Sequence, residues 1–129
     1  MEASHRTRIV QRAFALVAAL FGILTVFAGT RVLMGTDPGY VVYLPLLVYN
    51  TAMGLVYVAA GFLIWRSLKR GRQAAATILG LNLLVLAGVA GLHTAGQGVA
   101  PDSVRAMMFR TGFWLLLFLG LAWLGRRRA

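Results

Sequence analysis

The chain contains no cysteine. Disulfides, thiolate metal sites and redox chemistry on cysteine pairs are therefore excluded. Acidic residues are nearly as scarce. Glu2, Asp37 and Asp102 are the three, and none falls inside an apolar run, so no membrane-embedded carboxylate is present to relay protons or cations. Histidines number two, His5 and His93. The histidine pairs that grip haem in four-helix cytochromes are missing too. Charged residues make up 12% of the chain, against about a quarter in a soluble domain.

What is present is overwhelmingly apolar: 60% of the 129 residues are hydrophobic and the mean hydropathy is +0.78. Lipid is the natural solvent for such a chain. Four apolar runs cover about residues 13–34, 44–65, 74–95 and 103–124. Each has roughly 20 residues, the length of helix that crosses a hydrocarbon core of about 30 Å. None alternates as a membrane β-strand would. The expected fold is all-α: one transmembrane domain over residues 1–129, an antiparallel bundle of four transmembrane helices.

The connections are short, which makes sequential helices antiparallel neighbours. Gly35-Thr36-Asp37-Pro38-Gly39 and the stretch Gly96 to Pro101 read as turns, and Arg66 to Gln73 as a basic loop. Pro45 falls in the first turn of the second helix, where its missing N–H does no harm. The segment ending Val26-Phe27-Ala28 has the outline of a secretory signal; it is counted here as the first span.

The net charge of +10 sits in short blocks between spans. That distribution is a topology signal and argues against nucleic acid as a partner. Of the 13 Lys and Arg, only Arg31, Arg105 and Arg110 fall on one side of the membrane. The others mark the opposite side as cytoplasmic and place both termini there. The expected location is the cell membrane, a bacterial inner membrane, with multiple passes. The basic segment 66–72 and the tail 126–128 set this topology first; anionic lipid or an acidic partner is a second role for them.

Helices in lipid associate through small residues and polar groups. Ala15, Ala18, Gly22, Thr25 and Gly29 form one stripe on the first helix. Tyr43, Asn50 and Tyr57 repeat every seven residues on the second, with Gly54 and Gly61 beside them. Asn82 and His93, about three turns apart, face one way on the third. Ser103, Met107, Arg110 and Trp114 share a face of the fourth. These stripes are expected to point inward, with the intervening Leu, Val and Phe facing lipid. Trp65 and Trp123 read as belt residues.

By helical rise, Asn50 and Arg110 each lie roughly 8–10 Å inside the outer edge. The candidate site therefore gathers Tyr43, Asn50, His93, Arg110, Trp114 and Met107 in the outer half. Arg110 is the most informative of them. An arginine in a span costs about 2.5–3.5 kcal/mol on insertion scales, so it needs a partner, a water-filled cavity or an anion such as a lipid phosphate, a carboxylate or a propionate. Asn82, Tyr57 and Thr25 are expected to hydrogen-bond between helices. His93 is a weak haem-ligand candidate, with Met107, Met108 or a histidine from another subunit as the second axial ligand. No other metal site is expected.

The expected function is a small non-catalytic membrane subunit or accessory protein of a larger complex, or a homo-oligomer. Its outer polar pocket around His93 and Arg110 would hold an anionic lipid or cofactor. One alternative is electron transfer with haem or quinone in the same pocket. Another is an oligomeric carrier of small anions or solutes.

Overall fold

In the computed structural model, residues 2–39, 42–96 and 98–128 are described, with side chains from 5 to 126 within those ranges. Four helices follow one another: α1 (Glu2–Leu33), α2 (Leu44–Arg66), α3 (Leu68–Thr94) and α4 (Pro101–Arg128). There is no strand among the described residues. All four helices are long and apolar enough to cross a membrane, and the chain is a multi-pass membrane protein.

The α1–α2 contact is the closest, because the facing residues are small. A Cβ on Gly22 would lie 2.6 Å from the Gly54 carbonyl oxygen, and a Cβ on Gly54 would lie 2.6 Å from Val26 Cγ2. Further along, Ala15 meets Gly61, and Gln11 reaches Ile64. Partner numbers on α2 rise as those on α1 fall, so the two helices run antiparallel. Contacts of Phe14 with Gly120 and Thr25 with Arg110 set α4 antiparallel to α1 in the same way.

The main core draws on every helix: Ala15 and Ala18, Tyr57 and Ile64, Ala75 and Ile78, and Trp114 and Leu121. A smaller cluster of Leu46, Val89, Val99 and Met107 sits toward the 34–43 and 95–100 connections. Phe21 departs from the expectation that phenylalanines face lipid. It is half-buried, stacked on Phe113 with ring centroids 4.1 Å apart and on Tyr57 at 5.5 Å.

The expected basic loop over 66–73 is also corrected. The helices α2 and α3 are separated by Ser67 alone, in extended conformation (φ −154°, ψ 123°). The Ser67 hydroxyl accepts from the Arg70 N–H at 3.3 Å, a side-chain N-cap. Lysine, arginine and glutamine are good helix formers, so a capped basic segment continues as helix outside the apolar span. Gly71 admits the close corner, since a Cβ there would lie 2.6 Å from Ile64 Cα.

Candidate anion site between α1, α2 and α4

Arg110 lies on α4, nine residues beyond Pro101, or about 13 Å along the helix. Its side of α4 faces α1. The Arg110 Nη1 donates to Thr25 Oγ1 at 2.8 Å, and the guanidinium sits over the Phe21 ring, 5.5 Å from its centroid. No carboxylate pairs with Arg110 among the described residues, where the one ion pair is Arg105–Asp102 at 3.4 Å, on the surface. Thr25 and Phe21 thus orient the cation without neutralising it.

Beside Arg110 is a cavity of about 120 Å³ lined by Thr25, Tyr43, Asn50, Thr51, Ser103 and Arg110, with apolar residues filling the gaps. The Asn50 side-chain oxygen is buried and has no hydrogen-bond partner. A buried polar atom in that state costs about 1–3 kcal/mol unless something meets it. The lining therefore offers cationic donors from Arg110 beside hydroxyl groups, while the Asn50 oxygen is closed off behind the wall. An occupant that complements this lining is a small anionic group that the hydroxyls can also donate to. The volume suits a group of that size together with a few waters, at about 30 Å³ each. It is below the roughly 300–1,000 Å³ of sites that enclose a whole drug-sized ligand.

Of the residues expected to gather here, Tyr43, Asn50 and Arg110 line the cavity; His93, Met107 and Trp114 do not. His93 is exposed at the end of α3. Its Nδ1 donates to the Val99 carbonyl at 2.7 Å and so ties the 95–100 connection to α3. Met107 is fully buried in the smaller apolar cluster. Trp114 is fully buried against Tyr57, its ring centroid 5.0 Å away, and its indole N–H has no hydrogen-bond partner.

Asn82 lies elsewhere, with no exposed surface. Its carbonyl accepts from the Tyr49 hydroxyl at 2.8 Å, and its amide donates to the Tyr57 hydroxyl at 3.1 Å. Tyr49, Thr51, Ser103 and Phe21 are the participants in these two polar sites that were not singled out as site residues from the sequence. Ser103 falls three and seven residues before Ala106 and Arg110, a helical spacing that marks it. Tyr49 is next to Asn50 and off the seven-residue repeat, so no spacing points to it.

Compared with known proteins, the chain matches no family model, and no curated protein or solved structure is significantly similar to it.

Proposed function

We propose that this protein is a non-catalytic membrane subunit or accessory protein. In this reading it is a four-helix antiparallel bundle with both termini cytoplasmic. The Arg110 cavity, in the outer half, holds a small anionic group presented by a lipid or by a partner chain in the membrane. The observation that carries the reading is Arg110 itself. It is a half-buried cation without a carboxylate partner among the described residues, and it borders a cavity whose other polar lining includes Tyr43, Thr51 and Ser103. The cavity lining offers amide, hydroxyl and guanidinium groups. These groups bind and orient an anion; no carboxylate, histidine or thiol lies among the described lining residues to act as a base for the hydroxyls.

The test is purification of the full chain in mild detergent, followed by identification of the lipids and protein chains that accompany it. Wild type is expected to retain an anionic lipid or a partner. Arg110→Gln should lose it, and Arg110→Lys should keep part of it, because the charge remains while the fork of donors is lost. Equal retention by wild type and Arg110→Gln removes the proposal.

One observation favours a second reading, electron transfer. A carbonyl accepts only, so the His93 bond to Val99 puts a proton on Nδ1, and in the neutral ring Nε2 is then the nitrogen with the lone pair. That is the tautomer a haem-ligating histidine adopts. A visible spectrum of the chain purified from its native membrane decides this reading: a Soret band lost in His93→Ala supports it, and a featureless spectrum ends it.

A further inference from the structure

At the opposite end of the helices from Arg110, three elements converge on a second cavity, of about 520 Å³. Its walls include Arg8, Gln11 and Arg12 from α1, Trp65 and Arg66 from the end of α2, and Lys69 from the first turn of α3. The Arg12 guanidinium rests over the Trp65 ring, 4.7 Å from its centroid. Arg66 sits over Phe62 at 5.5 Å. Gln11 is buried and donates to the Ile64 carbonyl at 2.7 Å. That carbonyl is one of the last four of α2, which lack a partner within the helix. The bond fastens α1 to the α2–α3 corner and makes the concavity a built feature.

Topology rules account for basic residues on this side of a membrane. They do not account for four cations from three helices meeting around one hollow. Among the described side chains no carboxylate lines it, and Asp37 and Asp102 belong to the other end of the helices. Trp65 marks the level where apolar span gives way to headgroups. Beside it Phe62 is 60% exposed, an apolar surface continuous with the lipid.

We infer that this basic cavity binds the phosphate of an anionic phospholipid headgroup. Arginine forks on one side and the Lys69 ammonium on the other supply charge-assisted donors. The first N–H groups of α3 add positive potential in the same direction. The inference stands apart from the Arg110 reading, since the two sites share no residue.

Native mass spectrometry of the full chain tests it, with phosphatidylglycerol, phosphatidylcholine or inorganic phosphate added to the detergent. Wild type should retain one phosphatidylglycerol in preference to phosphatidylcholine. Arg12→Gln and Lys69→Gln should each weaken retention by about tenfold. The controls Arg70→Gln and Arg126→Gln, exposed and outside the cavity, should weaken it far less. Displacement of the lipid by inorganic phosphate identifies the phosphate as what is recognised. Failure of phosphate to displace it assigns the affinity to the whole lipid. Phosphatidylcholine held as firmly as phosphatidylglycerol, phosphate bound with no lipid retained, or controls as damaging as the cavity variants would each overturn the inference. Arg110→Gln should leave this binding intact, so failure here is distinct from failure at the outer site. Circular dichroism of each variant separates lost binding from lost helix.

Discussion

Asn82 shows what a polar side chain does when it has no water to turn to. Its oxygen and its amide are both used, by Tyr49 and Tyr57, and the three side chains join α2 to α3. Asn82→Leu removes the partner but leaves two hydroxyls in an apolar interior, and is expected to destabilise the fold by about 1–3 kcal/mol. Replacing both tyrosines by phenylalanine in the Asn82→Leu background should recover much of the loss, because no unmet group then remains. Thermal unfolding in detergent, followed by circular dichroism, reads both. A triple variant no more stable than Asn82→Leu alone would show that the hydrogen bonds are not what Asn82 contributes. Arg110 is the contrasting case. Its cost in a span is legible from the sequence, but its partner is not. Which of the hydroxyls and rings on three other helices reaches it depends on how α4 is rotated, and apolar composition does not determine that rotation. His93 escaped for a similar reason: its helical register places it with Asn82, while a six-residue return of the chain to Val99 claims its ring nitrogen first.

Helices α1 and α2 illustrate what periodicity reveals and what it misses. The stripe from Ala15 to Gly29 is legible because small residues at steps of three and four have one use in lipid, close approach of another helix. Its consequence is directional. Gly22→Leu must push into the Gly54 carbonyl and Val58, both within 3 Å of where its Cβ would stand. Overpacking of this kind costs typically 1–3 kcal/mol. Gly80→Ala on α3 meets nothing within 4 Å and exchanges glycine for the best helix former, a gain of up to about 1 kcal/mol. Melting temperatures of the two variants should move in opposite directions from wild type, and a fall for both would place α3 against a surface not seen in the chain alone. The corner at Ser67 was not legible as a corner. A run of basic residues reads as a loop when hydropathy is the guide, yet the same residues extend a helix readily once an N-cap starts it. Ser67→Ala should cost about 1 kcal/mol through loss of that cap, measured by the same melts. An unchanged melting temperature would mean that the α2–α3 packing alone holds the corner.

At the scale of the whole molecule, the surface is as informative as the core. Leu84 and Leu116 are 72% exposed, and they stand around the middle of α3 and α4, where acyl chains would cover them. The ends differ from each other. One carries the Ser67 corner, the basic cavity and both termini; the other carries two short connections with Asp37, Asp102 and Arg105. Such polarity along the helix axes predicts a single orientation. The absence of cysteine makes this testable without altering the chain elsewhere. Thr36→Cys and Gln73→Cys place one thiol at each end, both on exposed positions. A maleimide that cannot cross membranes should label Thr36→Cys in intact cells and Gln73→Cys only after the membrane is opened. The reverse pattern would invert the chain, carry the Arg110 cavity to the inner leaflet and remove the charge rule as its cause. Labelling of both in intact cells would mean two orientations coexist, which the charge distribution opposes. Because both sites are defined by which end of the helices they occupy, this one measurement decides which leaflet each would sample.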